Sequence, residues 1–317
     1  MGPGEALESL IVEKTTRFAS EVLKELGIEH LLLKGPAVSA WLYRLGERRY
    51  VDADLLVRPS DLARACDAFR KHGYQSPLIH ASRLEQHGHS VVLLPDSGAA
   101  LSEIDLHFSL PGVHATNDAL FRELHRHLKS VDVFGSQIPC PNNNSLALVI
   151  VLHAARNGPD NEQSLEDLRR LIEARPDWER VVASARVVGA LPAVASGLQL
   201  LPEGHDLAGG LGIAGVTDLE MQLRAISAPA IAFGLERLRA APGVGAKAEI
   251  LARELWPSEA FLRFWANSEG TATSLTRLRA RRLGSLVRST PSAVRAFWMA
   301  TRRAGSANAT QESSHGG

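Results

Sequence analysis

The chain of 317 residues has only two cysteines, Cys66 and Cys140, far apart and outside any CxxC pair. Their scarcity excludes a disulfide framework and a thiolate-built zinc centre, and it fits a reducing, cytoplasmic setting. An excess of one charge is also lacking, since Lys plus Arg and Asp plus Glu each total 35. With 45% hydrophobic residues, neither a disordered chain nor a globally basic nucleic-acid binder fits. Long apolar runs are missing too, and stretches such as 146–152 fall well short of the ~20 residues that span a bilayer. Met1-Gly-Pro-Gly-Glu5 has no basic segment followed by an apolar run, so no secretion signal is expected. Asn308-Ala-Thr310 then has no route to glycosylation.

What is present predicts two unequal halves, as a length of about twice the ~150-residue domain prior suggests. Leu7, Leu10, Ile11, Phe18, Val22, Leu23 and Leu26 recur at helical steps and stop before Gly27. Runs at 30–33 and 54–57 read as strands around a helix over 36–45 that has proline in its first turn. A helix from Ser60 to His72-Gly73 follows. Next come a hairpin of 90–94 with 101–108 through Pro95-Asp-Ser-Gly98 and a smaller one around Phe134-Gly135-Ser136. From 141 onward the spacing turns helical, at 146–155, 165–172, 178–188 and 190–201. The glycine-rich stretch 202–216 reads as a loop, with further helices over 219–238 and 246–266. The expected class is α+β: a mixed sheet with helices over 1–140, a helical domain over 141–303, and a disordered tail at 304–317.

The chemistry concentrates in Leu31-Leu-Leu-Lys34-Gly35 and in Arg48-Arg-Tyr-Val-Asp52-Ala-Asp54-Leu-Leu-Val57. Residues two apart on a strand share a face, so Asp52 and Asp54 project side by side while Val51 and Ala53 face the other way. Adjacent carboxylates repel unless a cation neutralises them, and Mg²⁺ takes a few carboxylate oxygens together with substrate phosphates. Asp105, set between Ile104 and Leu106 in an otherwise apolar run, supplies a third carboxylate if its strand lies beside that of Asp52. Three such groups can hold two metal ions for in-line phosphoryl displacement. Gly35 begins the turn ahead of a helix whose N–H groups would face a triphosphate.

An apolar strand ending in Lys-Gly, a helix, an Arg, Asp-x-Asp-Leu-Leu-Val and a later Asp-Leu-His strand together resemble the uncharacterised nucleotidyltransferase family of the polymerase-β-like superfamily. The likeness extends to Leu152-His153 and Asp167-Leu168 in the helical half. It implies a nucleotidyltransferase-like catalytic domain followed by helices that cover the cleft and select the acceptor. It also implies transfer of a nucleoside monophosphate from a Mg²⁺-bound nucleoside triphosphate, ATP foremost. The acceptor is a hydroxyl or phosphate on a sugar, small metabolite, peptide or protein, and pyrophosphate leaves. On this resemblance Asp52, Asp54 and Asp105 are metal ligands, with Asp105 alternatively the base. Gly35 shapes the phosphate turn, and Lys34 or Arg48 meets phosphate oxygens, with Arg49 equally near. Gly35-Pro36 stands where the superfamily usually has Gly-Ser, and the gap to Asp52 is longer than in many members. A catalytically inactive interaction or regulatory protein on the same fold is the competing reading.

Other features admit two readings each. His107 shares a face with Asp105 and serves the metal, the acceptor or a structural hydrogen bond. His80, His87 and His89 have no cysteine to complete a zinc site and read as exposed loop residues. His153 and Arg156 either face the cleft or support helix packing. The glycines of 204–215 do not form GxxxxGK[ST], so a P-loop is not expected. Eight arginines and no acidic residue occupy 271–303. This block suits an anionic partner or membrane surface, or a solvated helical face.

Overall fold

The computed structural model describes residues 3–76, 88–96, 101–226, 228–241, 243–259, 261–262, 266 and 274–314. Helix α1 (Pro3–Glu25) leads into β1 (His30–Leu32), α2 (Pro36–Leu42), β2 (Asp52–Val57), α3 (Leu62–Lys71), β3 (Tyr74–Gln75), β4 (Ser90–Pro95) and β5 (Glu103–His107). After α4 (Asn117–His125) comes the β6 (Leu128–Val133) and β7 (Ser136–Pro141) hairpin. The helical half follows: α5 (Asn143–Asn157), α6 (Glu162–Ala174), α7 (Trp178–Val187), α8 (Leu191–Leu198), α9 (Pro202–Gly210), α10 (Leu219–Ala225), α11 (Ala230–Ala240), α12 (Gly243–Leu255) and α13 (Leu275–Ser314). The expected α+β class, a mixed sheet followed by helices, is what forms.

The sheet is five-stranded in the order β1-β2-β5-β4-β3, and its one parallel pair is β2 with β5. Side-chain alternation assigns its faces. Leu32, Ala53, Leu55, Val57, Ile104 and Leu106 enter the cluster shared with α1 and α3, whereas Leu31, Leu33 and Leu56 enter the one built on the helices. Period-two pleating therefore places Asp52, Asp54, Glu103, Asp105 and His107 on the helical side of the sheet.

Helix α5 occupies the centre of that side. It is apolar nearly all round, as a helix enclosed by others should be, with Asn142 capping the Ser145 N–H at 3.0 Å and Gly158 ending it at positive φ. Helix α8 crosses it so closely that a Cβ on Gly197 would stand 2.6 Å from the Val151 carbonyl oxygen. The larger apolar cluster joins strand residues to α5–α10, so the halves on either side of residue 140 share one core. A small third cluster, Leu223, Ala232, Ala293 and Ala300, seats α13 on α10 and α11.

Several boundaries differ from the sequence reading. The stretch 202–210 is helical: Pro202 pre-sets the first turn, and the missing Cβ of Gly204 admits the Leu198 carbonyl, which any side chain would overlap. The helix expected over 219–238 breaks at Pro229, where a ring replaces the N–H. α12 ends at Leu255, two residues before Pro257. α13 continues through Ser314, across most of the segment that composition marks as a disordered tail. His80, His87 and the Pro95-Asp-Ser-Gly98 turn lie wholly or partly outside the described residues.

Candidate active site

Asp54 on β2 stands opposite Asp105 on β5 in the parallel register, and Asp52 stands opposite Glu103. His107, two residues beyond Asp105, donates through Nε2 to Asp54 Oδ1 at 3.0 Å and lies 3.2 Å from Asp105 Oδ2. Ligand atoms of Asp54, Asp105 and His107 all fall within 4.8 Å of one another. Lys34, at the end of β1, brings its ammonium 2.5 Å from Asp54 Oδ1. The resemblance puts Lys34 or Arg48 on phosphate oxygens; in the structure the Lys34 ammonium rests against the Asp54 carboxylate.

The electrostatics follow from this crowding. Burial pushes Asp54 up, but Lys34 and His107 outweigh it and hold the carboxyl well below its ordinary range. Asp52 moves the other way, to about 7, chiefly through repulsion from Asp54 and then through burial. Burial and the Asp105 and Asp54 charges also raise Glu103. Burial works against the His107 imidazolium, yet the two carboxylates raise its pKa overall. Asp105 Oδ1 and His107 Nδ1 are buried without a hydrogen-bond partner. Three aspartates thus crowd around one ammonium and one imidazole, an excess of acid with an oxygen still available. This donor set fits a divalent cation.

Helix α5 adds two residues. Burial, with Lys34 nearby, drives His153 down to about 3, so its imidazole is neutral and accepts from Asn157 Nδ2 at 3.0 Å. Arg156, half-buried one turn later, is lowered by burial and feels the charges of Asp105, Asp54 and Asp52. Sequence reasoning left Arg156 between cleft and packing, and no local pattern could decide, because α5 is apolar nearly all round.

Arg48 has a different setting. Its Nε and Nη2 donate to the two oxygens of Asp167 on α6 at 2.8 and 2.7 Å, and the Tyr43 hydroxyl donates to Oδ1 at 2.6 Å. Both charged groups are buried. The Arg48 guanidinium, one of the two groups expected on phosphate, is engaged in an ion pair between the segment after α2 and α6, while Arg49 pairs with Glu8 at the surface. Gly35 occupies φ +55 as the residue before α2, and the Tyr50 ring packs 3.8 Å from where its Cβ would lie. A cavity of about 510 Å³ lined by Pro36, Ser39, Tyr43, Arg48 and Tyr50 adjoins this turn. His89, expected on an exposed loop, is buried with its ring 5.7 Å from that of His107.

A mixed sheet whose central parallel strands present facing carboxylates to a covering helical half is the build of a nucleotidyltransferase. The family described as uncharacterised nucleotidyltransferase matches residues 7–203, and the chain belongs to it. That membership supports a nucleotidyl-transfer activity. No curated protein matches the chain.

Among solved structures, it is similar to the antibiotic-resistance factor ANT(2'')-Ia, at 13% identity and a TM-score of 0.39, over 56% of this chain and 89% of that one. It is similar to an antigenic nucleotidyltransferase-like protein from Paracoccidioides brasiliensis, at 15% and 0.41, over 64% and 93%. The lincosamide antibiotic adenylyltransferase LnuA, bound to lincomycin, is similar at 14% and 0.36, over 52% and 99%. At such scores no residue role or substrate carries over.

Proposed function

We propose that the protein transfers a nucleoside monophosphate from a Mg²⁺-bound nucleoside triphosphate, ATP foremost, to a hydroxyl or phosphate of an acceptor, releasing pyrophosphate. The observation that carries this is the in-register Asp54–Asp105 pair with Asp52 beside it, an acid surplus on the covered face of the sheet. Asp52, Asp54 and Asp105 would hold two ions, which when bound neutralise charge developing on the transferred phosphoryl group. Lys34 keeps Asp54 ionised in the free protein. Asp105, with its unpartnered oxygen, orients or deprotonates the attacking group. Arg156 meets phosphate oxygens in place of the sequestered Arg48.

A cavity of about 390 Å³ at the C-terminal end of α5, lined by Gly158, His205, Thr217, Gln222 and Arg224, gives room for an acceptor that is a small polar molecule or an end of a larger chain. Two buried, free thiols at Cys66 and Cys140 accord with a reducing cytoplasm.

Calorimetric titration of Mg·ATP and Mg·GTP into wild type and Asp54→Asn, with a magnesium-free control, tests the reading without knowing the acceptor. Magnesium-dependent binding that vanishes in the variant is the expected result. Nucleotide binding indifferent to both magnesium and Asp54 would instead favour a regulatory protein on this fold.

A further inference from the structure

The arginine block on α13 has no place in the transfer reaction. α13 packs inward through Leu278, Ala293 and Ala300, all buried. At about 100° per residue, the opposite side of the helix carries two adjacent stripes. Leu283, Val287, Val294 and Trp298 fall within about 60° of one another, and they are 40, 72, 48 and 57% exposed. Arg281, Arg288, Arg295 and Arg302 recur every seven residues, all exposed, and form a neighbouring stripe about 100° further round. Together they run about 32 Å along the helix. Near its start, exposed Trp256 lies under Arg279, 4.5 Å from ring centroid to guanidinium.

The two stripes have separate requirements. Valine and tryptophan side chains aligned in water forgo the transfer free energy of burial, and a contiguous apolar strip of this kind marks an interaction surface. Arginines with no acid among them from 271 to 303 attract phosphates. A nucleic acid would satisfy the charges and leave the aliphatic stripe in water. A bilayer surface satisfies both: the apolar stripe enters the boundary between headgroups and acyl chains while the guanidinium groups meet lipid phosphates. Trp298, with Arg302 stacked 3.5 Å from its ring centroid, has the amphipathic ring suited to that depth.

We infer that the outward face of α13 docks the protein flat on the anionic surface of a lipid bilayer. The association is peripheral, since no helix among the described residues is long and apolar enough to cross a membrane.

Cosedimentation of the full chain with phosphatidylcholine vesicles, with or without about one-third phosphatidylglycerol, tests this at physiological salt. Binding is expected on the anionic vesicles alone. Arg288→Glu/Arg295→Glu and, separately, Val287→Ser/Val294→Ser/Trp298→Ser should each lower the partition coefficient at least about tenfold. Their melting temperatures should match wild type, because all five side chains face water; if one variant melts early, the other carries the test. No binding to anionic vesicles overturns the inference. So does unchanged vesicle binding by the serine variant together with duplex-DNA binding lost in the glutamate variant, which would assign the face to nucleic acid.

Discussion

Two buried ionic clusters lie close together in this protein, and they are built on opposite terms. Around Asp167, one carboxylate meets one guanidinium bidentately, with hydroxyl and amide donors from Tyr43 and Gln163. The charges balance, and the pair fastens the segment after α2 to α6. Around Asp54, three aspartates share the Lys34 ammonium and the His107 ring, one oxygen of Asp105 has no partner, and Asp52 is pushed to about 7. Buried charge costs free energy unless paired, so both clusters are expensive, but only the second is arranged to accept more positive charge. Imbalance, rather than burial, distinguishes the acid cluster from the strut.

The comparison breaks most visibly if the acid cluster is neutralised. Asp54→Asn should reduce nucleotidyl transfer about a thousandfold or more, because the loss of a metal ligand removes several kcal/mol of charge stabilisation. Transfer of label from α-labelled nucleotide to the acceptor, once one is found, measures it; activity within tenfold of wild type would remove Asp54 from the chemistry.

Asp167→Asn should act on the other axis. Leaving Arg48 buried without its counter-ion costs about 3–5 kcal/mol of stability, while the protein that remains folded keeps its magnesium-dependent nucleotide affinity. Arg48 and its hydrogen bonds hold Asp167 below its ordinary value against the opposing effect of burial. A depressed acid contributes stability that is present above its unfolded pKa and lost as pH falls through the folded one. The gap in melting temperature between wild type and variant should therefore be full near neutrality and close in the acid range, below the ordinary aspartate value. A gap that does not change with pH would mean the pair acts through packing alone.

How much of this was legible in the sequence depends on the range of the interaction. Asp52, Asp54, Asp105 and His107 were placed on shared strand faces by period two alone, and the register of β2 with β5 then aligned them. The partner of Arg48 was not legible, because 119 residues separate it from Asp167 and no local pattern selects one acid among many. The phosphate role of Lys34 or Arg48 came from the family resemblance alone, and the ion pair of Lys34 with Asp54 joins residues 20 apart that no local pattern connects. Helix α9 was missed since glycine lowers helix propensity, and only the close approach of Leu198 explains why Gly204 is there.

A smaller effect sharpens the assignment of phosphate binding between the two arginines. Arg156 faces the acid cluster from α5, so Arg156→Ala should weaken Mg·nucleotide binding by about ten- to a hundredfold, the worth of a charge-assisted hydrogen bond. The fold should tolerate it, as Arg156 forms no ion pair among the described residues. Arg48→Ala, by contrast, should lower stability before it changes affinity. Calorimetry and thermal melting on both variants separate the roles, and the reverse pattern would return the phosphate role to Arg48.

The smallest effect concerns Asp52, where function and stability should part company. Asp54 and burial raise its pKa to about 7, far above an unfolded aspartate. A raised acid contributes stability that is full below the unfolded pKa and is lost as pH rises through the folded one, so the metal-free protein stores repulsion at and above neutral pH. Asp52→Asn does not titrate and escapes that loss. In chelator at pH near 8 it should melt higher than wild type, and the advantage should fade as pH is lowered toward the unfolded aspartate range. Adding magnesium should stabilise wild type more than the variant, because the repelling carboxylate is then the ligand that is missing. A variant less stable than wild type at pH 8 in chelator would mean that Asp52 is held by contacts stronger than the repulsion from Asp54, and the acid surplus would no longer mark the site.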